Sequence, residues 1–383
     1  MRIAVAAAPW PGHAFPAAGL ALALRDRGHR VLVFTGDRWL PALHRDGLAA
    51  VPLPTGPPDP RDDDFGFRLH GRGALQAPEI AALLADWGAE AVVADTLTAG
   101  AGYAAGLCAL PWAELVPHPL QDLSRALPIP GSALAPAKGL PGRVRDAGLR
   151  RIAAHGIAAG ISQRRAARRS LGLPADGPPR VRLIATLPGL ELPRPDWPAD
   201  AVVVGPLEWD PAAEDLPAPD GDGPLVFLSS STVADATDLL DVALAALADC
   251  DLRLACTRFD GYRPTPRWAV VGAGRQAPLL AEAAVVVGGA GHGIVAKALA
   301  RGRALVCVPG GGEQRDNAAR VRRAGAGIVI PARRLTAARL RAAVRSVLAE
   351  PAYAAAAARI GASGAGLGAG YAAEVTERAV QAG

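Results

Sequence analysis

Continuous apolar runs alternate with stretches of helical periodicity along the whole chain. Apolar residues spaced three and four apart predict helices at 15–27 and 77–87, with short apolar runs around them. These runs predict strands at 2–8, 30–35, 89–95 and 110–116. Because the runs are apolar at every position rather than at alternate ones, we expect both faces of the strands to be covered, as in a parallel sheet. The first half therefore predicts a doubly wound α/β domain.

The same pattern begins again after residues 206–223, a segment rich in Pro, Asp and Gly that is typical of an interdomain linker. Beyond it, strands are predicted near 225–229, 252–256, 284–288 and 304–308, and helices near 234–248, 294–301, 314–324 and 336–348. The chain is thus divided into one α/β domain over 1–205 and a second over 224–360. Ligands of such domains bind beyond the carboxyl ends of the strands, so we expect a shared cleft.

Three segments are neither strands nor simple connections. Residues 52–73 and 117–142 are irregular and too long for plain connectors, which favours binding loops. Within 52–73, the acidic run 61–65 is either a metal-binding cluster or a solvated turn, and the lack of partnering carboxylates favours the turn. Arginines recur among apolar residues over 143–169, as on a solvated helical face. The alternative there is a docking surface for a carrier protein, a membrane or an acidic acceptor.

Composition argues against several classes of function. The 383 residues carry a formal charge of +5 and only 4% are aromatic, so base-stacking surfaces for nucleic acid are not expected. The four cysteines show no CxxC spacing and are expected to be reduced thiols. No apolar stretch approaches about 20 residues, so no transmembrane segment is expected. The N-terminus has too short an apolar run for a signal peptide. We expect a cytoplasmic protein.

Residues 288–293, with the sequence GGAGHG, end one predicted strand and open a helix. Such a turn directs unpaired backbone N–H groups and the positive end of the helix at one point, which suits a phosphate or diphosphate. Glycines at strand-to-helix turns also serve as packing devices, and that interpretation stays open. The spacing differs from the dinucleotide fingerprint because His292 stands between Gly291 and Gly293. An NAD-dependent oxidoreductase is therefore disfavoured.

A second glycine turn, 310–312, is followed by Glu313 and Gln314 at the start of another predicted helix. A carboxylate and an amide beside the cleft can bind the vicinal hydroxyls of a sugar. An acid that is favoured there only by the helix dipole is the alternative.

In the first half, His13 follows the first strand and precedes the first predicted helix. A neutral imidazole at the carboxyl end of a strand could take a proton from a hydroxyl, and a purely structural histidine is the alternative. Asp95 ends a neighbouring strand and could orient and charge-stabilise that imidazole. A helix N-cap is the competing role for Asp95.

Together these motifs resemble those of the GT-B glycosyltransferases of family 1, of the bacterial antibiotic and macrolide type. The likeness covers nearly the whole chain, including PGHAFPAAGLALALRDRGHRVLVFTG, AVVAD, VVVGPL and VFLSSSTV. It is most specific in PGGGEQRDNAARVRRAGAG, where such enzymes have Pro, three residues, Asp or Glu, Gln and then Asn-Ala. The resemblance implies two Rossmann-like domains facing a central cleft. It also implies a C-terminal helix, within 361–383, that crosses back to the first domain.

The resemblance implies roles for individual residues as well. His13 would be the general base on the acceptor with Asp95 as its partner, and Glu313 and Gln314 would hold the donor sugar. The residues implied at the diphosphate and nucleotide are Ser229, Ser231, Gln276, Gly289, Gly291, His292, Gly293 and Lys297.

The implied reaction is an inverting, metal-independent transfer of a sugar from a dTDP- or UDP-sugar. The acceptor would be a small, largely apolar natural product, such as a polyketide, macrolide or aromatic aglycone. The nucleotide-sugar is a co-substrate, and no cofactor or metal is expected. Attack by an acceptor carbon instead of an oxygen stays open, as does assembly into a homodimer.

Three positions depart from the family pattern. Gly289 stands where a His usually contacts the diphosphate, Lys297 where a Glu usually holds the ribose, and Ala273 near where an aromatic ring usually stacks on the base. His292 and Lys297 are expected to take over contacts with phosphate or ribose oxygens. The alternative is a transferase-like protein that has lost turnover and acts as a binding or helper subunit.

Overall fold

Two parallel β-sheets carry the fold, here described from a computed structural model over residues 1–229, 239–258 and 261–381. The first sheet has seven strands in the order β3-β2-β1-β4-β5-β6-β7. Its strands are β1 Arg2–Ala6, β2 Arg30–Thr35, β3 Ala49–Pro52, β4 Ala91–Asp95, β5 Trp112–Val116, β6 Arg182–Ile184 and β7 Ala201–Val203. Its helices are α1 Pro11–Asp26, α2 Leu40–Arg45, α3 Arg72–Trp87, α4 Ala99–Leu107 and α5 Gly139–Ser170.

The second sheet has six strands in the order β10-β9-β8-β11-β12-β13. Its strands are β8 Leu225–Ser229, β9 Arg253–Thr257, β10 Ala269–Gly272, β11 Val285–Gly288, β12 Ala304–Cys307 and β13 Gly327–Val329. The remaining helices are α6 Leu239–Leu247, α7 Gln276–Glu282, α8 His292–Ala300, α9 Gln314–Arg323, α10 Ala337–Ala349, α11 Pro351–Ala362 and α12 Ala369–Gln381.

The continuous apolar runs are explained by cores on both faces of each sheet. In β1, Ile3 and Val5 pack with side chains of α1 and α12, whereas Ala4 and Ala6 pack with side chains of α3 and α4. All four side chains are buried. The prediction of doubly wound parallel sheets is therefore confirmed.

In both sheets the strand order reverses beside the first strand. β1 lies between β2 and β4, and β8 lies between β9 and β11. At such a switch point the loops leave the sheet in opposite directions, and this opens a crevice beyond the carboxyl ends of the strands. The described residues with predicted chemical roles lie at or beyond the carboxyl ends of β1, β4, β8, β10, β11 and β12.

Several element boundaries differ from the sequence prediction. α1 begins at Pro11 rather than at residue 15, because proline suits the first helical position and its ring fixes the backbone angle there. His13 therefore lies in the first turn of α1 and not before the helix. α8 likewise begins at His292 rather than at residue 294. The start predicted for the helix at 234–248 lies outside the described residues.

Some elements were not predicted at all. α2, α7 and α11 were missed, as were β3, β6, β7, β10 and β13, and α4 was considered only through the alternative role of Asp95 as a helix N-cap. The missed strands have three or four residues each and lie in the outer parts of the sheets, where a short apolar run is hard to distinguish from a loop.

The C-terminal helices connect the two sheets. α11 packs against α8 in the second half, and α12 packs along α1 and contacts β5 and β6. Glu377 on α12 accepts hydrogen bonds from Arg27 at 2.6 and 2.7 Å and contacts the His29 ring at 2.8 Å. The hydrogen bonds from Arg27, together with the contact to His29, lower the Glu377 pKa to about 2, against the raising effect of burial.

The acidic run at 61–65 forms a turn held by internal ion pairs. Asp62 accepts a hydrogen bond from Arg72 at 2.6 Å, and Asp59 accepts one from the guanidinium of Arg61 at 2.7 Å. Over 1–229, 239–258 and 261–381, no group of three or more His, Cys, Asp and Glu side chains is placed to hold a metal ion. The interpretation of this run as a turn is therefore supported.

The arginine-rich stretch 143–169 lies in the 32-residue helix α5, most of whose residues are exposed. Leu140, Val144 and Ile152 are among the exposed apolar residues on this helix. In the part of the chain that the structure describes, no helix is long and apolar enough to cross a membrane.

Candidate active site

A cavity of about 930 Å³ lies between the carboxyl ends of the two sheets. It brings together residues from the loops that follow strands of both halves. Its lining includes His13, Phe15, Arg38, Trp39, Pro117, His118, Ala185, Glu208, Asp210, Ser229, Thr257, Ala273, Gln276, Gly289, Gly291, His292, Gly293, Lys297, Glu313 and Gln314. Of the residues with predicted roles, Asp95 lies behind the lining and Ser231 lies outside the described residues.

His13 and Asp95 form a close pair at the wall of the first domain. Nδ1 of His13 lies 2.7 Å from Oδ1 of Asp95, and Asp95 is 2% exposed. Because an ionised carboxylate can only accept, Nδ1 carries the proton and Nε2 is the basic nitrogen. A buried carboxylate in this position also stabilises the imidazolium that forms when Nε2 takes a proton.

The second oxygen of Asp95 is held by the backbone. Oδ2 accepts hydrogen bonds from the N–H groups of Ala8 at 3.3 Å and Leu97 at 3.4 Å. The N-cap of α4 is Thr98, without a side-chain capping bond. The structure therefore does not support a helix-capping role for Asp95, and its carboxylate is fixed in place for His13.

The turn between β11 and α8 has the geometry of an anion site. Gly291 is the N-cap of α8, and Ala290 before it is buried with a left-handed backbone, at a φ of 63°. The amide of Asn317 donates to the carbonyl of Ala290 at 3.2 Å and fixes this turn from α9. The free N–H groups at the start of α8 thus lie at the cavity with the positive end of the helix.

His292 is the first residue of α8 and is 5% exposed. Its Nε2 lies 3.1 Å from the carbonyl oxygen of Ala185, which belongs to the first domain. Its Nδ1 is buried and has no hydrogen-bond partner among the described residues. Burial lowers the His292 pKa to about 3; the hydrogen bond to Ala185 opposes this shift, and His118 and Arg320 contribute to it.

Lys297 and Gln276 line the same cavity. Nζ of Lys297 donates to Oε1 of Gln276 at 3.2 Å, and Nε2 of Gln276 donates to Oγ1 of Thr257 at 3.1 Å. Burial lowers the pKa of the Lys297 ammonium, while the nearby carboxylates of Glu208 and Asp210 oppose that shift.

The second glycine turn brings Glu313 and Gln314 to the cavity. Glu313 is the N-cap of α9 and is exposed, whereas Gln314 is 9% exposed. Oε1 of Gln314 accepts a hydrogen bond from the N–H of Gly310 at 2.8 Å. A Cβ atom at Gly289 would lie 3.3 Å from the same oxygen, so Gly289 leaves room for the Gln314 amide.

The linker contributes side chains that sequence reasoning did not predict. Glu208 accepts two hydrogen bonds, at 2.7 and 2.8 Å, from Arg301, the C-cap of α8. Asp210 accepts a hydrogen bond from the backbone N–H of Gln276 at the start of α7. The indole N–H of Trp209 donates to Asp46 at 2.8 Å. The linker is thus part of the cavity wall as well as a connection.

His118 is a further cavity residue that was not predicted. Its Nδ1 lies 3.0 Å from the carbonyl oxygen of Pro119, so Nδ1 donates to this carbonyl. His118 follows β5 as His13 follows β1, and the same signal, a polar residue just after a buried strand, would have found it. Of the two irregular regions, only 117–142 contributes to the cavity, through Pro117 and His118, and residues 52–73 do not line it.

Comparison with known proteins identifies the family of this fold and site. Residues 275–380 match the model of the C-terminal domain of erythromycin biosynthesis protein CIII-like proteins. The chain is 30% identical over 398 residues to 4'-demethylrebeccamycin synthase of Lentzea aerocolonigenes, covering 94% of each chain. A shorter match, 29% identical over 126 residues, covers 29% of this chain and 33% of L-demethylnoviosyl transferase of Streptomyces niveus.

Solved structures show the same architecture over the full length. The glycotransferase of kitacinnamycin superposes with a TM-score of 0.77 at 21% identity, covering 99% of each chain. The glycosyltransferase VinC in complex with dTDP superposes with a TM-score of 0.70 at 20% identity, covering 100% of each chain. With its relatives, its two parallel sheets and the cavity between them, the chain belongs to the GT-B glycosyltransferases of family 1, of the type found in bacterial antibiotic biosynthesis.

Proposed function

We propose that the protein transfers a sugar, with inversion and without a metal ion, from a nucleoside-diphosphate sugar to a small, largely apolar natural product. The observation that carries the proposal is the 2.7 Å contact between His13 and buried Asp95 at the wall of a cavity shared by both domains. The acceptor hydroxyl gives its proton to Nε2 of His13 and its oxygen attacks the anomeric carbon. The bond from that carbon to the diphosphate breaks on the opposite side, so one displacement inverts the centre.

On the donor side, the proposal assigns the diphosphate to the start of α8. Gly289, Gly291, His292 and Gly293 surround this point, with Lys297 nearby. Further contacts to the diphosphate and nucleotide are assigned to Ser229, Ser231 and Gln276. The N–H groups, the helix dipole and the Lys297 ammonium are the groups that would stabilise the departing negative charge in place of a metal. We assign no cofactor.

Glu313 and Gln314 are assigned to the hydroxyls of the donor sugar, because a carboxylate and an amide beside each other can bind two neighbouring hydroxyls. For the nucleotide we favour dTDP, since two glycosyltransferases of this fold are described in complex with it, VinC and SsfS6. Ala273 lines the expected base site without an aromatic ring, so stacking there would be weaker than is usual in the family.

The chemistry of the first-domain wall supports an apolar acceptor. Pro11, Phe15, Pro16, Trp39 and Pro41 line the same cavity as His13 and offer apolar surface. A phenolic acceptor would allow either oxygen or ring-carbon attack after His13 has removed its proton, and analysis of the product bond distinguishes these outcomes.

The test compares His13→Ala with the wild-type protein in turnover of dTDP- and UDP-sugars with a panel of phenolic and polyketide acceptors. Turnover of the variant should fall at least about 100-fold, while its affinity for the nucleoside diphosphate stays unchanged. His155→Ala, on the exposed surface of α5, is the matched control. Turnover of His13→Ala at the wild-type rate would remove His13 from the mechanism.

A helper subunit without turnover is the second candidate, and the departures from the family pattern at Gly289, Lys297 and Ala273 favour it. Calorimetric titration with UDP, dTDP and GDP separates the two functions. Binding of one nucleotide supports the transferase, whereas a folded protein that binds none of the three has lost its donor site.

A further inference from the structure

His292 joins the two domains through one imidazole ring. Its Nε2 lies 3.1 Å from the carbonyl oxygen of Ala185. That carbonyl follows β6 and is fixed, because the N–H of Ala185 donates to Val116 at 2.8 Å. A carbonyl oxygen can only accept, so Nε2 carries the hydrogen. In the neutral ring, Nδ1 therefore has a bare lone pair.

This Nδ1 is the unusual atom of the site. It is buried and unpartnered in the described part of the chain, although buried polar atoms in folded proteins are nearly always hydrogen-bonded. His292 is also the first residue of the nine-residue helix α8, and its side chain lines the cavity. The unpaired nitrogen and the positive helix end thus occur on the same residue, where an anion is expected to bind.

We propose that His292 takes up a proton when a nucleoside diphosphate binds, so that the imidazolium donates from Nδ1 to a phosphate oxygen and from Nε2 to Ala185. This inference rests on the proposed function, because it requires the diphosphate at the start of α8. A bare lone pair would repel the phosphate oxygens, whereas a protonated ring offers a charge-assisted hydrogen bond.

The surrounding charges favour the neutral ring before the ligand arrives. Burial lowers the His292 pKa to about 3 against the raising effect of the Ala185 carbonyl, and His118 and Arg320 act in the same direction as burial. Arg320 on α9 faces Glu191 and Asp316 at 3.8 Å, so its own charge is partly balanced. A bound diphosphate reverses the preference of His292 for the neutral ring, because its negative charge raises the pKa of a neighbouring imidazole.

Proton uptake at His292 would favour the leaving group over the substrate. The departing nucleoside diphosphate carries one more negative charge than it does in the sugar donor, so the imidazolium binds it more strongly. The proton on His292 comes from solvent, and the acceptor's proton goes separately to His13. Proton uptake should therefore be larger for dTDP than for dTDP-glucose.

The experiment is calorimetric titration of dTDP and dTDP-glucose into the full-length protein at pH 7.5, in buffers of different ionisation enthalpy. The dependence of the heat on the buffer gives the number of protons taken up. The variant His292→Gln keeps a donor towards Ala185 but cannot be protonated, and His155→Gln on α5 is the matched control. The proton equilibrium of dTDP itself cancels between wild type and variant.

We expect the wild type to take up about one proton more per dTDP than His292→Gln, and to bind dTDP about tenfold more tightly. The uptake with dTDP-glucose should be smaller. Equal proton counts for wild type and His292→Gln, with dTDP bound by both, would overturn this inference and leave the proposed function intact. Failure of the folded wild type to bind dTDP, UDP or GDP would instead overturn the donor-site assignment.

Discussion

The ammonium of Lys297 lies 3.2 Å from Oε1 of Gln276, whose amide nitrogen is bound in turn to Thr257 at 3.1 Å. The three side chains come from α8, α7 and β9 and form a chain of two hydrogen bonds that begins at the ammonium. Lys297 also lies 6.0 Å from the centre of the Phe15 ring, on α1 of the first domain. A cation is thus held at the position where the family resemblance implies a carboxylate for the ribose.

This arrangement predicts that Lys297 contributes to binding of the diphosphate rather than of the nucleoside. Lys297→Met removes the charge and keeps most of the side-chain length. We expect dTDP to bind about tenfold more weakly, because a hydrogen bond to a charged group is lost, while the affinity for thymidine stays unchanged. Calorimetry with dTDP and thymidine measures both.

The other lysine of the chain provides the control. Lys138 is exposed and precedes α5, so Lys138→Met should leave both affinities at the wild-type value. Equal weakening of dTDP and thymidine binding by Lys297→Met would mean that the residue supports the nucleoside or the local fold, and not the phosphates.

Asp95 offers a test of the base that does not remove the imidazole. Asp95→Asn keeps the size of the side chain but removes the negative charge that faces His13 at 2.7 Å. The turnover number should fall about 100-fold, since the imidazolium loses its stabilising partner. Affinity for dTDP should not change, because the pair lies in the first domain. Steady-state kinetics with equilibrium binding of dTDP checks this, and a normal turnover number would show that Asp95 is only structural.

Removal of divalent metals tests the metal-independent part of the mechanism. After dialysis against EDTA, the rate of sugar transfer should stay within experimental error of the untreated rate. The physical reason is that the start of α8 and Lys297 are expected to stabilise the leaving group in place of a metal. A large loss of rate that added Mg²⁺ or Mn²⁺ restores would contradict this mechanism.

The sequence predicted the parallel sheets and the long helices because buried strands and amphipathic helices have strong local patterns. It also located His13, His292 and Gln314, since glycine turns and polar residues that follow a buried strand indicate the edge of a parallel sheet. The short outer strands could not be predicted in the same way, because their pairing depends on neighbours that are distant in the chain.

The same limit applies to the site. Glu208 and Asp210 lie in a segment whose composition predicted only a linker, and their place in the cavity depends on how the linker packs between α1 and α8. The contact of His292 with Ala185 joins residues 107 positions apart. Neither relationship has a local sequence pattern, so both became visible only in the folded chain.

The acid Glu114 on β5 predicts a pH dependence of stability. Burial raises its pKa from an ordinary 4.5 to about 7, against the opposing charge of Arg182. Between pH 4.5 and 7 the unfolded chain has this carboxylate ionised while the folded chain keeps it protonated. Stability from this group therefore falls as pH rises through that range. Glu114→Gln should raise the melting temperature at pH 8 relative to wild type, with a smaller difference at pH 5.

Thermal melts of wild type and Glu114→Gln at pH 5, 6, 7 and 8 measure this difference. A difference in melting temperature that is constant across the four values would mean that Glu114 ionises at the same pH in the folded and unfolded chain.

The contact between α1 and the linker predicts that Gly19 cannot carry a side chain. A Cβ atom at Gly19 would lie 2.7 Å from the carbonyl oxygen of Glu208, closer than real Cβ atoms approach backbone. Gly19→Ala must therefore displace the linker backbone beside the Glu208–Arg301 pair, at a cost of about 1–3 kcal/mol.

The matched control is Gly156→Ala on exposed α5, where a Cβ atom meets nothing within 4 Å. Replacing a helical glycine by alanine at such an open position should stabilise the protein slightly. A lower melting temperature for Gly19→Ala and an equal or higher one for Gly156→Ala would support this packing. If both variants melted at the wild-type temperature, the linker would have to be free to move away from α1.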